Sequence, residues 1–323
     1  MSLCMRRRDI LVRLGLLGAG IAGAWWLRDN VIWRGPQIGY AEGGSSGWLP
    51  YARRRAATPT VEVEVGGRRV AALVDSGAQF SVIDAALFAD LGLAETFSMP
   101  LIAYGVGGNP QLGRGATIDV AVGELRLNGL RAAILQLGPL ASERGLGTPL
   151  ILGQDVLREL VLDLDTVGRR LRLSRPEDHQ APTGLVPIEV RRADRGLSAA
   201  VTVEGAEIEA VVDTGASALL AVSRQAAEGA GLLNGRESRQ GVSIVLGGAT
   251  RADIVRARTV TFGDTLVEDA EVAIFADVSV PGFPRALLGM EAFAGRQVVM
   301  DIGRARLLVS EAMDVTVGRP RRD

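Results

Sequence analysis

Short apolar runs alternate with polar residues from about residue 58 onward, and glycines separate the runs. Over residues 60–65, valine alternates with glutamate, which is the period of two that is typical of a half-buried β-strand. Gly66-Gly67 predicts a tight turn, and the apolar return run 70–74 completes a hairpin. The pattern favours β-structure over helix for the globular part of the chain.

One strand-and-turn unit occurs twice. Val74-Asp75-Ser76-Gly77-Ala78 ends one apolar run, and Val212-Asp213-Thr214-Gly215-Ala216 ends another 138 residues later. At nearly equal distances, each unit is followed by a glycine pair, an apolar segment ending in glycine, and an aspartate before an arginine-containing hairpin. The paired features are Gly107-Gly108 and Gly247-Gly248, Leu152-Gly153 and Leu288-Gly289, and Asp165 and Asp301. Features in one order with matched spacing indicate an internal repeat.

The repeat divides the chain into segments. A chain of 323 residues is long enough for two lobes, each with its own core. The predicted segments are a signal peptide or membrane anchor over 1–30, a linker over 31–57, a first lobe over 58–174, a second linker over 175–186, a second lobe over 187–316 and a tail over 317–323.

Composition narrows the possible chemistry. The 36 basic and 37 acidic residues nearly cancel, so no nucleic-acid partner is expected. Cys4 is the only cysteine and His179 the only histidine, which excludes a disulfide framework, a catalytic thiol in the globular part and a histidine-rich metal site. We predict that His179 is a solvated side chain of the second linker. Carboxylates and hydroxyls remain as the reactive groups, and neither a metal ion nor an organic cofactor is expected.

The N-terminus predicts export from the cytoplasm. Arg7 and Arg8 precede an apolar stretch, and Ala22-Gly23-Ala24 has the small-residue pattern of a cleavage site. The stretch is shorter than the ~20 apolar residues that cross a bilayer. A cleaved twin-arginine signal is therefore favoured over an uncleaved membrane anchor through residues 10–27, and both alternatives stay open. Either one places the globular part in a periplasmic or otherwise exported location.

The two aspartate loops share a physical logic. A strand delivers each carboxylate, and the glycine after it permits a tight turn. The hydroxyls of Ser76 and Thr214 can hydrogen-bond across a pseudo-twofold axis and hold the loops rigid. Backbone N–H groups around Gly77 and Gly215 can then support a charged carboxylate. One such motif alone is typical of an ordinary turn, whereas the duplication indicates a paired site.

The chain resembles the retropepsin-like aspartic proteases over residues 58–312. The resemblance is carried by the two aspartate motifs and by the later segments Leu150-Ile151-Leu152-Gly153 and Leu287-Leu288-Gly289. The resemblance implies an all-β fold of two retropepsin-like β-barrel lobes related by a pseudo-twofold axis. The N-terminal residues described above add a signal or anchor helix before the lobes. It implies an aspartic endopeptidase that hydrolyses peptide bonds of protein substrates with a water activated between Asp75 and Asp213.

Two glycine-tipped hairpins are expected to serve as flaps over an extended peptide, which would bind by strand addition. The flap candidates are Tyr104, Gly107, Gly108, Gly247 and Gly248. Tyr104 lies just before the first tip, where it would hydrogen-bond toward the catalytic region or simply pack on a neighbouring strand.

The chain departs from the viral members of this family at four positions. Those members carry an acidic residue shortly after the catalytic motif and an arginine after the later glycine, which pair at the base of the dimer. The corresponding residues here are Gln79 and Gln154 in one half and Ser217 and Met290 in the other. The contact between the lobes must therefore be built differently.

Other charged residues are assigned structural roles. Asp163, Asp165 and Asp301 are expected to be hairpin carboxylates near arginines, and Arg53-Arg54-Arg55 a solvated run in the linker.

The expected chemistry is that of a carboxyl pair sharing one proton, with one pKa raised and the other lowered. We expect a monomer whose two lobes form one site. The alternatives are a catalytically silent peptide-binding module of the same fold and a protease whose lobes pair with those of another chain.

Overall fold

The computed structural model describes residues 35–94, 97–104, 110–193, 196–245, 248–278 and 283–312. The predicted signal segment, the flap glycines Gly107, Gly108 and Gly247, and the C-terminal tail lie outside the described residues.

Strands make up most of the described chain. Those of the first half are β1 (Gln37–Gly39), β2 (Leu49–Pro50), β3 (Thr60–Val65), β4 (Arg68–Val74), β5 (Val82–Asp84), β6 (Phe97–Tyr104), β7 (Pro110–Val122), β8 (Leu125–Leu135), β9 (Leu150–Leu152), β10 (Val161–Asp165) and β11 (Arg170–Ser174). Those of the second half are β12 (Val186–Ile188), β13 (Val190–Ala193), β14 (Gly196–Val203), β15 (Ala206–Val212), β16 (Leu220–Ser223), β17 (Ser238–Val245), β18 (Gly248–Phe262), β19 (Thr265–Phe275), β20 (Ala286–Leu288), β21 (Gln297–Asp301) and β22 (Arg306–Val309).

The described helices are short. They are α1 (Ala85–Asp90), α2 (Gln154–Leu157) and α3 (Arg224–Gly229), with 3₁₀ turns at Gly138–Leu140 and Met290–Phe293. Asp84 begins α1 by accepting a hydrogen bond from the Ala86 N–H at 3.1 Å. Within the described ranges, every helix falls short of the length and apolar character needed to cross a membrane.

Each half closes a six-stranded barrel. In the first half the strands run β8-β5-β9-β4-β3-β7, and a further pairing of β7 with β8 closes the ring. In the second half they run β14-β15-β20-β16-β19-β18, and β14 pairs with β18. The order is the same in both halves, so the internal repeat seen in the sequence is a repeat of topology. The predicted all-β fold of two retropepsin-like lobes is confirmed.

Alternation of side chains explains why these segments form barrels. In β3, residues 61, 63 and 65 are at most 2% exposed, whereas Glu62 and Glu64 face solvent. Burying each of these valines stabilises the fold by roughly 1.5–3 kcal/mol. Gly66 and Gly67 both have positive φ, at 58° and 75°, which matches the two-residue turn predicted between β3 and β4.

A third sheet joins the two halves. Its order is β12-β22-β21-β10-β11-β2, and its centre is the antiparallel pair of β10 with β21. Asp163 lies opposite Val299 in that pair. Backbone hydrogen bonds along these strands therefore connect the two lobes. They form a contact between the lobes that does not need the ion pairs of the viral family members.

The two predicted linkers also contribute strands. β1 and β2 fall within residues 31–57, and they pair with β8 and β11 respectively. β12 begins at residue 186 and pairs with β22. Short edge strands of this kind carry too few apolar positions to be read from a periodicity.

One prediction about charged side chains is wrong, and another holds only in part. His179 is not solvated: its side chain is 3% exposed, and Nε2 lies 2.9 Å from Oδ1 of Asp163. Arg54 and Arg55 are exposed as expected. Arg53 is only partly solvated, because its guanidinium donates to the Gly147 carbonyl at 2.6 Å and to Glu143 at 2.7 Å. A linker sequence does not reveal which of its residues will fold back onto a sheet.

The three hairpin aspartates have the structural surroundings expected of them. Asp163 binds Arg172 as well as His179, Asp165 binds Arg170 at 2.9 Å, and Asp301 accepts from the Arg304 N–H at 2.9 Å. Their hydrogen bonds are all to the hairpins and linker of the sheet that joins the lobes.

Candidate active site

Two strands deliver the paired aspartates. Asp75 follows β4 and Asp213 follows β15, and each backbone N–H continues the sheet for one more residue. The Asp75 N–H donates to the Leu152 carbonyl and the Asp213 N–H to the Leu288 carbonyl, both at 2.9 Å. The two aspartates therefore occupy equivalent places in the two barrels.

The apolar segments ending in glycine thread beside the aspartate loops. β9 pairs with β4 in parallel and with β5 in antiparallel fashion, and β20 does the same between β15 and β16. A Cβ on Gly153 would lie 2.6 Å from the Phe80 carbonyl carbon, and one on Gly289 would lie 2.3 Å from the Ala218 carbonyl oxygen. Only glycine fits at these crossings, which is why both segments end in it.

The two carboxyl groups meet between the lobes. They are close enough to share a hydrogen bond. Each also lies against the glycine of the opposite loop: a Cβ on Gly77 would be 2.5 Å from Cγ of Asp213, and a Cβ on Gly215 would be 2.5 Å from Cγ of Asp75. The two motifs, which are 138 residues apart in sequence, are thus in contact in the fold.

Backbone N–H groups support both carboxylates. Oδ1 of Asp75 accepts from Gly77 at 2.8 Å and from Ala78 at 3.0 Å. Oδ1 of Asp213 accepts from Gly215 at 2.8 Å, and the Ala216 N–H also acts to lower the pKa of Asp213. Protein surrounds both aspartates on most sides, and each keeps a solvent-accessible portion. Such hydrogen bonds favour the ionised form at both aspartates.

Ser76 and Thr214 connect the two loops with four hydrogen bonds. The Ser76 N–H donates to Thr214 Oγ1 at 2.9 Å, and the Thr214 N–H donates to Ser76 Oγ at 3.0 Å. Each hydroxyl in turn donates across the lobes, Ser76 to the Val212 carbonyl and Thr214 to the Val74 carbonyl, both at 2.7 Å. Both side chains are buried, so the predicted cross-axis contact exists and is symmetric.

Burial sets the direction of both pKa shifts. It raises the pKa of Asp75, while the hydrogen bonds to that carboxylate act against the rise. Burial raises the pKa of Asp213 further, and the neighbouring Asp75 charge adds to the effect. The expected lowering of one pKa is therefore wrong. Both pKa values are raised because two like groups in one enclosed place both resist ionisation.

The four departures from the viral pattern have different outcomes. Gln154 is buried, and its Nε2 donates to the Ser76 carbonyl at 2.6 Å. Met290 is also buried, whereas Gln79 and Ser217 are exposed. The base of the aspartate loops thus uses an amide in the first lobe and an apolar side chain in the second.

A buried carboxyl below the first loop was not anticipated. Asp155 is 1% exposed and accepts from the Ser81 hydroxyl at 2.8 Å, and that hydroxyl accepts from the Gly153 N–H at 3.1 Å. Burial raises the pKa of Asp155 to about 6. In the second lobe Glu291 accepts instead from the Leu219 N–H at 3.1 Å. The sequence signal that could have predicted these carboxyls is the acidic residue two positions after the glycine of each apolar segment.

The predicted flap hairpins are present as strand pairs. β6 pairs with β7 up to Tyr104 opposite Pro110, and β17 pairs with β18 up to Val245 opposite Gly248. The connections 105–109 and 246–247 lie outside the described residues. No group of three or more His, Cys, Asp or Glu side chains that could hold a metal ion occurs in the described ranges.

Comparison with known families agrees with this geometry. A family model described as aspartyl protease matches residues 61–156 and 199–292, which together cover more than half of the chain. The chain belongs to the aspartyl protease family. Each match contains one aspartate loop and the apolar-glycine segment beside it, so this aspartyl protease carries the family unit twice. No curated protein matches the sequence.

Proposed function

We propose that this chain is an aspartic endopeptidase in which Asp75 and Asp213 activate one water molecule. The observation that carries the proposal is the contact between the two carboxyls, fixed by the hydrogen bonds of Ser76 and Thr214. Membership of the aspartyl protease family supports the same conclusion.

The pair shares one proton at the start of the reaction, because burial raises the pKa of both carboxyls and two like groups in contact do not both ionise readily. In the proposed reaction sequence this proton starts on Asp213, and the equivalence of the two aspartate loops makes the reverse assignment chemically equivalent. Asp75 takes a proton from the water, which attacks the peptide carbonyl carbon, while Asp213 donates its proton to the carbonyl oxygen. In the second step the amide nitrogen leaves with the proton that Asp75 accepted, and Asp213 takes back the hydroxyl proton of the intermediate.

Peptide substrates are bound in extended form between the two hairpins. An extended peptide lying between the β6–β7 and β17–β18 hairpins can add hydrogen bonds as a strand does. In this proposal one chain supplies both lobes and works as a monomer, because the hydrogen bonds of Ser76 and Thr214 and the joining sheet both connect the two lobes of the same chain.

Digestion of an unfolded protein mixture over a pH series tests the function. The full chain is compared with the Asp75→Asn and Asp213→Asn variants and with Asp90→Asn, which replaces a 64% exposed carboxylate by a neutral amide. We expect cleavage by the wild type and by Asp90→Asn only. The rate should fall at high pH, where the pair loses its shared proton, and at low pH, where both carboxyls are protonated.

The same assay separates the silent peptide-binding alternative. A silent module would bind peptides with no cleavage at any pH. Cleavage that persists in both asparagine variants would show that another site is responsible, and the proposed mechanism would be wrong.

A further inference from the structure

A cavity of about 570 Å³ lies beside the aspartate loop of the first lobe. Both lobes contribute to its wall. The residues used in the argument below are Gly77 and Gln154 of the first lobe and Ser198, Glu207, Glu209 and Val211 of the second. Because Gly77 contacts Asp213, the cavity begins next to the carboxyl pair.

The acidic part of the wall follows one strand. Glu207, Glu209 and Val211 occupy alternate positions of β15, which places their side chains on one face, and Asp213 directly follows the strand. Both glutamates are exposed. At about 3.3 Å per residue, Glu209 is ~13 Å along the strand from Asp213, which is the span of about four residues of an extended peptide.

The first lobe lacks these carboxylates. The positions of β4 that correspond through the repeat of 138 residues are Arg69 for Glu207 and Ala71 for Glu209. The acidic wall therefore exists on one side of the carboxyl pair only. A cleft that is symmetric in its backbone is asymmetric in its charge.

Several groups of the wall can accept hydrogen bonds. Glu209 is exposed and accepts from the buried Ser198 hydroxyl through Oε1. Gln154 is 3% exposed, and in the described part of the chain its Oε1 has no hydrogen-bond partner. Arg285 also lines the cavity and is exposed, so the wall carries two carboxylates and one guanidinium. A ligand that brings N–H donors and a positive charge satisfies such a wall.

We propose that this cavity is a specificity subsite for a lysine or arginine side chain of the substrate, within about four residues of the cut bond on one side. The inference rests on the proposed function, since it names the substrate class of the same site. Charge-assisted hydrogen bonds to Glu207 and Glu209 would select the basic side chain over an apolar one of the same length.

Paired peptides test the subsite. A series is made in which one lysine is moved through four positions on either side of a fixed cut bond, and each member is matched by a peptide with norleucine at that position. For the full chain we expect kcat/KM to favour lysine by about tenfold or more at a position on one side only. In Glu207→Gln/Glu209→Gln the ratio should fall to about one.

The matched control is Glu62→Gln/Glu64→Gln. These two exposed glutamates have the same alternate spacing on β3, and they do not line the cavity. The control should keep the lysine preference. A loss of preference in the control as large as in the cavity variant would overturn the assignment to this cavity.

A binding measurement makes the result independent of turnover. The affinities of the same peptides are measured for Asp75→Asn, with and without the two cavity substitutions. A lysine preference in binding that depends on Glu207 and Glu209 supports the subsite even if the wild type cleaves nothing, in which case only the proposed function fails. Cleavage or binding without any lysine preference, or no binding at all, overturns the subsite.

Discussion

Removing the Thr214 hydroxyl tests how the two halves are held together. In Thr214→Val the Ser76 N–H loses its acceptor at 2.9 Å, and the Val74 carbonyl loses its donor at 2.7 Å. Both partners lie at a buried position between the lobes. An unpaired buried polar group costs roughly 1–3 kcal/mol, and two such groups are left, so we expect a loss of about 2–6 kcal/mol in the free energy of unfolding. Such a loss is a large fraction of the ~5–15 kcal/mol that stabilises a typical domain.

The assay is urea unfolding followed by tryptophan fluorescence, with peptide cleavage measured on the same samples. Thr214→Ser is the informative control, because serine stands at the equivalent position of the first lobe and makes the equivalent two bonds. We expect Thr214→Ser to retain most of the stability and the activity. Thr202→Val, on a strand of the same barrel, controls for the introduction of a valine. A Thr214→Val variant that stays within about 0.5 kcal/mol of Thr214→Ser would refute the reasoning.

Three further predictions follow from the same contacts. Gly77→Ala places a methyl carbon 2.5 Å from Cγ of Asp213, so kcat/KM should fall at least tenfold, whereas Gly39→Ala, whose Cβ would have its nearest neighbour at an ordinary 3.5 Å, should leave the cleavage rate near wild type. The raised pKa of Asp155, about 6, means that its protonated form stabilises the fold below pH ~4 and that this contribution is lost as the pH rises through 6. Asp155→Asn should therefore gain up to ~3 kcal/mol of stability relative to wild type between pH 4 and pH 8 in urea titrations, and a difference that does not change with pH would contradict the burial argument. Mixing Asp75→Asn with Asp213→Asn should restore no activity, because each chain pairs its own lobes; recovery on mixing, with a native mass of two chains, would show pairing between chains.

The repeat allowed the centre of the fold to be predicted. Asp75 and Asp213 were identified as a pair because glycine, hydroxyl and apolar-glycine features recur at matched distances, and each of these features reflects a local steric need. Gly153 and Gly289 show this directly, since a side chain at either position would collide with a carbonyl group of the aspartate loop. Local requirements of this kind leave a trace in the sequence.

The joining sheet and its polar contacts could not be predicted in the same way. β10 pairs with β21 from the other half. The sequence of either strand does not predict this pairing, because strand pairing is decided by the whole fold. His179 was interpreted as solvated from its linker surroundings, yet it is buried against Asp163. The sequence showed that Gln154 stands where the viral members have an arginine of an ion pair. Its hydrogen bond to the Ser76 carbonyl could not be predicted, because the position of Gln154 is set by tertiary packing.

The central claim is that Asp75 and Asp213 act as one unit, and initial cleavage rates of the two single asparagine variants and the double variant test it most directly. Because a shared proton needs both carboxyls, we expect each single variant to lose at least about 10³-fold in kcat and the double variant to be no slower than either. Losses that multiply in the double variant, or a single variant that keeps more than about a tenth of the wild-type rate, would contradict the account.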